Sequence, residues 1–331
     1  GRRRVRQLLL DQPVGPVAPP VEFFLQRDHL LQQQVCGVAR LIEFGVARAR
    51  GRSAYRVNDT LASLSLGTTS QITELATKLV IIAIYAFCFE HLRVTTLPVD
   101  AWWTWALGLL LYDFLYYWHH RMSHEVGILW ATHVVHHSSE EFNLSTALRQ
   151  TSSRFLLGWI FYLPMAVLGF PLIVFIVVGL IDLLYQYWIH TEQIGKLGWF
   201  DRVFASPSNH RVHHAVNDKY LDKNYGGILI LWDRMFGSFI DEDEREPCVY
   251  GTRSRLGTFS PLWANLEVFA ALAKDAWHAQ SWADKLRVFI KPPGWRPADV
   301  AARFPKPDFD LENAKRKFNP PLSRFESAYL F

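Results

Sequence analysis

Three groups of histidines constrain this chain more than any other feature. They read His120-Arg-Met-Ser-His124, His133-Val-Val-His136-His137 and His210-Arg-Val-His213-His214. On a helix, residues three or four apart share a face, so each group aims its imidazoles in one direction. A further histidine, His190, stands alone at the end of an apolar run. Neutral imidazole is a strong ligand for iron, zinc, copper and nickel. A structural zinc ion is complete with four ligands, so nine are too many for one ion. Nine suit two metals, each with four or five imidazoles and a position left open for O2 or water. Any fold for this chain has to bring distant segments to one place.

The remaining histidines carry a plainer reading. His29, His91 and His278 are lone residues of the kind that packing or a cap explains. His119 adjoins His120 but points about 100° away on a helix, so it is left out of the set.

The apolar runs say how the convergence is expected to happen. Hydrophobic residues make up 50% of the chain and aromatics 15%, including 13 Trp, which is heavy for a water-soluble enzyme. Trp and Tyr collect where protein meets the lipid–water boundary. Residues 56–71 are polar and are expected near a membrane surface. The first strong apolar run is Ile72–Glu90 and the second is Ala101–Trp118, with a turn containing Pro98 between them. The region Phe155–Ile189 is too long for one crossing, which needs about 20 residues. Gly169-Phe170-Pro171 divides it, so a hairpin is expected, with arms Phe155–Leu168 and Pro171–Ile189.

Two such hairpins leave 1–71, 119–154 and 190–331 on one side of the bilayer, and with them all nine histidines. Residues 1–71 hold 10 Arg, no Lys and 5 acids, and the positive-inside tendency places that side in the cytosol. The expected architecture is therefore all-α: an integral membrane protein with two transmembrane helical hairpins and a cytosolic histidine-rich helical cap. The expected division is an N-terminal segment over 1–55, a membrane domain over 56–240 and a surface-lying segment over 241–331. Residues 1–20, with a basic start and four Pro, are expected to be flexible; 21–50 read as a helix of mixed character. The acidic run at 241–246 is expected to be solvated, and 291–331 extended.

Other classes are excluded or weakened. A net charge of +4 is too mild to argue for nucleic acid. Cys36, Cys88 and Cys248 are odd in number and far apart, so they form neither a disulfide framework nor a cysteine zinc site.

An all-imidazole shell leaves the metals' charge unneutralised, and carboxylates behind the ligands would also fix ring tautomers. Asp113 lies seven residues before His120, and Asp182 and Gln186 lie eight and four before His190. Ionisable residues in apolar spans are costly, which marks Asp113 and Asp182 as functional candidates. Glu125 follows His124 directly, and Glu192 lies two beyond His190.

The motifs, taken in order around a hydrophobic hairpin, resemble the fatty acid hydroxylase/sterol desaturase superfamily. The likeness runs from about Tyr55 to Phe239. It includes YRVNDTLASLS, YYWHHRMSHE, HHSSEEFNLSTALRQ, LLYQYWIHTE, SPSNHRVHHAVN and DKNYGGILILWDRMFGSF. The resemblance implies two iron ions that activate O2 and hydroxylate an unactivated C–H bond of a membrane lipid. It carries the ligand role onto His120, His124, His133, His136, His137, His210, His213 and His214, and makes Glu125 a required acid. Within the superfamily the chain is most similar to the branch that acts on ether lipids. That branch hydroxylates the ether-adjacent carbon of alkylglycerols and draws electrons from tetrahydrobiopterin. The implied location is the endoplasmic reticulum membrane in a eukaryote or the inner membrane in a bacterium. Residues 1–50 do not resemble the family's membrane-spanning N-terminus, and its members commonly continue into further apolar helices, as a fragment of a longer protein would show.

Rival readings remain at this stage. A sterol or fatty acyl desaturase or hydroxylase shares the first step, hydrogen abstraction, on the same centre. A zinc-dependent membrane hydrolase would need about three ligands and a general base. A metal transporter would place its ligands inside the spans, whereas these flank them. An inactive scaffold would be expected to have lost a motif histidine, and none is missing.

Overall fold

A computed structural model describes residues 36–320 of the 331. The expectations for residues 1–20, for 21–35 of the helix read over 21–50, and for 321–331 lie outside the described residues. The chain divides into two units, Gly1–Ile42 and Glu43–Phe331. Helix α1 covers 36–49. The described residues are helical, with two isolated bridges, Phe204 to Leu229 and Ala215 to Tyr250, and no strand.

Helix α2 runs without a break over Val57–Leu92. Its 36 residues make it about 54 Å long at 1.5 Å per residue. The polar stretch 56–71 is therefore continuous with the apolar run that follows it, in one helix that begins at Val57. The reason is local. Thr60, Thr68, Thr69, Thr73 and Thr77 each donate their hydroxyl to the carbonyl four residues earlier, at 2.8–3.0 Å. Polar side chains that would otherwise compete with helix are thereby satisfied inside it. Among the described residues α2 is the one helix long and apolar enough to cross a membrane.

Helix α3 spans Trp102–Glu125, and its buried residues Gly108, Tyr112, Tyr116, His120 and His124 recur every four residues along one face. That face meets helix α8, defined below. The region expected as the first arm of a hairpin is broken: 3-10 turns at Arg154–Leu156 and Gly158–Tyr162 lead into the short helix α7, Leu163–Val167. Pro164 sits in its first turn, where the missing N–H costs nothing. Gly169, at φ 90°, turns the chain against the carbonyl of Thr95, where a Cβ would collide. Helix α8 then returns over Leu172–Trp188. The link after α2 lies against this turn, with Val94 N–H donating to Val167 O at 2.8 Å and Leu97 N–H to Gly169 O at 2.9 Å. Tyr85, Tyr112, Tyr116, Tyr162, Met165, Phe170 and Val174 form the core between these elements.

The histidine-bearing segments are short and sit at the other end of α3 and α8. They are α5 (Val134–His137) and α9 (Pro207–His213), flanked by the short helices α4 (Gly127–Ala131), α6 (Leu144–Ala147) and α10 (Leu231–Phe236). Ser206 caps α9, its Oγ accepting from Asn209 N–H at 3.3 Å, and Pro207 follows at the first helical position. Beyond the acidic run come α11 (Pro261–His278), α12 (Trp282–Ile290), α13 (Ala298–Arg303) and α14 (Leu311–Ala314). The last two interrupt a stretch expected to be extended throughout.

Candidate metal centre

All nine histidines converge, and they do so as two groups. His120, His124, His133, His137 and His213 bring one ring nitrogen each to within 4.8 Å of one another. His136, His190, His210 and His214 do the same beside them. The groups adjoin, since the rings of His137 and His214 stack at 4.3 Å.

The pairing follows helix geometry more finely than a single shared face. Residues four apart share a group: His120 with His124, His133 with His137, His210 with His214. The remaining member of each HxxHH motif, His136 or His213, goes to the opposite group. One helical turn therefore feeds both groups, and two copies of the motif face each other with exchanged roles.

Backbone carbonyls hold the rings. His120 Nδ1 lies 2.8 Å from Tyr225 O, His136 Nδ1 3.1 Å from Arg149 O, His190 Nδ1 2.8 Å from Gln186 O and His213 Nδ1 3.0 Å from Lys223 O. A carbonyl oxygen only accepts, so each Nδ1 carries the proton and each Nε2 is left as a bare lone pair. Those Nε2 atoms point inward at one another. His136 and His190 face each other at 3.1 Å with no proton available to either. His124 Nε2 is buried and has no hydrogen-bond partner. Lone pairs crowded in this way need a cation between them, which is the fit expected for a metal. Burial pushes the His136 imidazole down to about 4. It also holds His137, His210, His213 and His214 well below the ordinary histidine value. The rings are therefore neutral near pH 7, the form that ligates.

Asp113, Asp182 and Glu125 stand in three different relations to this cluster. Asp113 accepts from Ile228 N–H at 2.7 Å, Leu229 N–H at 3.1 Å and Trp232 Nε1–H at 2.8 Å. It fixes the loop that presents Tyr225 O to His120, and touches no histidine itself. Asp182 accepts from Gln186 Nε2–H at 2.6 Å, and Gln186 also receives the Tyr116 hydroxyl at 2.7 Å. Asp182 thus reaches His190 through Gln186, whose carbonyl holds the ring. Glu125 pairs with Arg121 at 2.8 Å on the outside of α3, away from both groups. His119 is buried against Phe161 and Tyr162 and joins neither group. Glu192 accepts the Tyr250 hydroxyl at 3.0 Å at an exposed position.

Several supporting residues carry no spacing signal. Glu43, buried, accepts from Leu144 N–H at 2.9 Å and from the hydroxyls of Tyr55 and Thr191. It ties α6 to the residue after His190. Arg149, whose carbonyl holds His136, pairs with buried Asp59 at 3.2 Å and donates Nε–H to Ser138 at 3.0 Å. Asp233 accepts from Tyr225 N–H, Gly226 N–H and the Ser238 hydroxyl, each at 2.7 Å. Asp222 and Asn224 both adopt φ 56°, a left-handed turn that Asp and Asn tolerate best after glycine. This turn supplies Lys223 O and Tyr225 O to two histidines. An Asp-Lys-Asn-Tyr-Gly sequence signals a turn, but not the part it plays here.

With the geometry in place, comparison with known proteins identifies the class. Residues 105–238 match the family model described as fatty acid hydroxylase. It is 39% identical over 289 residues to alkylglycerol monooxygenase of Xenopus tropicalis, covering 87% of this chain and 64% of that protein. Against the Homo sapiens alkylglycerol monooxygenase it is 43% identical over 248 residues, 75% of this chain and 55% of that protein. An ornithine lipid hydroxylase of Rhizobium tropici is 33% identical over 137 residues, 40% of each chain. The chain thus spans little more than half the length of the alkylglycerol monooxygenases it matches. No solved structure matches it.

Proposed function

We propose that this chain holds two iron ions, one in each histidine group, and is an O2-dependent monooxygenase of membrane lipids. The observation that carries this is the split of nine inward-facing imidazoles, eight of them buried, into adjacent groups of five and four. Iron in place of zinc rests on the family, not on imidazole chemistry. The iron pair supplies O2 activation and removal of hydrogen from an unactivated C–H bond. The protein's part is placement and exclusion of water. The carbonyls of Tyr225, Arg149, Gln186 and Lys223 fix the ring tautomers. Asp113, through its loop, and Asp182, through Gln186, hold those carbonyls in place.

The proposed setting is a membrane domain over 56–240, with a short N-terminal segment before it and a surface-lying segment after it. The helices α2 and α3 form one hairpin and the 155–189 region the other. The hydrogen bonds joining the two turns at Val94–Val167 and Leu97–Gly169 support this, as does the gathering of the nine clustered histidines away from those turns. The Arg-rich N-terminal stretch supports a cytosolic active site. The proposed substrate is an ether lipid hydroxylated next to its oxygen, in line with the alkylglycerol monooxygenases among the relatives. One oxygen atom enters the C–H bond and the other leaves as water, so two electrons and two protons are consumed. Tetrahydrobiopterin is the proposed donor, and Glu125 a required acid.

Product analysis by mass spectrometry tests the reading. Iron-loaded protein in vesicles is incubated with alkylglycerols, sterols or fatty acyl lipids, with and without a reduced pterin. Pterin-dependent aldehyde from alkylglycerols is expected. A new double bond or a sterol product would favour the desaturase reading. Tightly bound zinc with no iron uptake would sink both.

A further inference from the structure

The helices α11 and α12 leave a continuous apolar face uncovered. On α12, Trp282, Leu286 and Ile290 fall four residues apart on one side and are 81%, 69% and 63% exposed. Val288 on the opposite side is fully buried. On α11, Leu262, Leu266 and Trp277 are exposed, while Ala264 and Asp275 face inward. Asp275 is held there by Arg296, with Nε–H and Nη2–H donating at 2.8 and 2.9 Å. The two helices pack on each other and on α4. Water-soluble surfaces seldom carry so much contiguous apolar area without a partner.

The place of this face in the fold says what the partner is. Ala264, at the start of α11, packs with Leu66 of α2 and Val135 beside His136. Leu66 lies six residues, about 9 Å along the helix, before Ile72, which opens the exposed cluster Ile72, Leu75, Leu79 and Val80 of α2. At the far end, Gly127 N–H donates to Lys291 O at 2.9 Å, two residues past the end of α3. The helix pair thus stretches between the histidine-side portions of α2 and α3. Cations frame the face. Lys285 lies 5.6 Å over the Trp282 ring while donating to Ala276 O and Trp277 O, and Arg287 and Lys291 flank it. Trp with lysine and arginine around an apolar stripe is the composition of a helix lying in a membrane interface.

We propose that α11 and α12 lie in the headgroup layer of the bilayer, with Trp277, Trp282, Leu286 and Ile290 inserted. They form a second, peripheral contact beside the spanning helices. This rests on the reading of α2 as a membrane span, and the test separates the two.

Full-length protein is reconstituted into phosphatidylcholine–phosphatidylglycerol vesicles. Nitroxide labels are placed by Leu286→Cys, Trp282→Cys, Leu79→Cys and Arg245→Cys in a Cys248→Ser background. Collision with O2 and with a water-soluble nickel chelate is then measured by spin resonance. Labels at 286 and 282 are expected to favour O2 over nickel several-fold more than the label at 245. Lipid contact at 79 with water contact at 286 and 282 would overturn the proposal alone. Water contact at 79 would overturn the membrane reading and this proposal with it. Shielding of 286 from both reagents, with dipolar broadening between labels, would assign the face to a second copy of the chain and also overturn it.

Discussion

His136 Nε2 and His190 Nε2 face each other at 3.1 Å while both rings donate their Nδ1–H to main-chain carbonyls. Neither nitrogen has a proton to share, so the pair is stable only around a cation. His136→Ala or His190→Ala should lower bound metal from two ions per chain toward one, because the five-histidine group keeps all its donors. Metal content by plasma mass spectrometry checks this. His119→Gln is the control: that ring packs against Phe161 and Tyr162, and the variant should retain both ions. Two ions in His190→Ala would remove His190 from the ligand set.

Glu43 carries three hydrogen bonds from a buried position and joins α6 to Thr191, next to His190. Glu43→Ala leaves the Leu144 N–H and two hydroxyls without their acceptor. Each buried donor so stranded costs about 1–3 kcal/mol. The variant should unfold at a lower temperature in detergent, and the four-histidine group should lose metal before the five. Glu43→Gln, which keeps an acceptor oxygen, should fall between. An unchanged melting temperature in Glu43→Ala would show that the carboxylate is dispensable.

How far the sequence could take these conclusions depended on the range of each interaction. The histidine motifs were legible because i to i+4 spacing is a property of one helical turn. The same spacing did not reveal that His136 and His213 cross to the opposite group, since that depends on how two turns face each other. The apolar part of α2 was legible from hydropathy. The joining of 56–71 to Ile72–Leu92 as one helix was not, because it turns on threonine hydroxyls satisfied by carbonyls four residues back. Glu43, Asp59, Arg149 and Asp233 were invisible as supports, since their partners lie in other segments or in the backbone. Asp113 and Asp182 were singled out by the cost of charge in an apolar span. Their partners, a loop and Gln186, came from the structure.

Asp233 gathers Tyr225 N–H, Gly226 N–H and the Ser238 hydroxyl, and so aims Tyr225 O at His120. Asp233→Asn puts an amide N–H where an acceptor is required. Supports of this kind typically change metal affinity about 10–100-fold. The weakening should appear in the five-histidine group alone, giving two separated steps in a chelator titration followed by metal analysis. Uniform weakening of both ions would mean that the variant disturbs both histidine groups and not this ring.

Arg211 and Glu242 give the fold a pH dependence whose sign is fixed. Arg211 lies between His210 and His213, donates to Thr191 O and Ile194 O at 3.0 and 2.8 Å, and forks onto Glu242 at 2.8 and 2.7 Å. Burial alone would raise the Glu242 carboxyl, but the hydrogen bonds and charge of Arg211 hold it below its ordinary value of 4.5. A carboxyl whose pKa is lower folded than unfolded stabilises the fold above the unfolded value. That contribution is lost as the pH falls through the folded value. The stability difference between wild type and Glu242→Gln should therefore be steady above about pH 4.5 and shrink on acidification below it. Comparing the two proteins cancels the histidines, which titrate alike in both. Denaturant unfolding in detergent over a pH series measures the difference, and one that stays constant to low pH would show that the ion pair does not contribute.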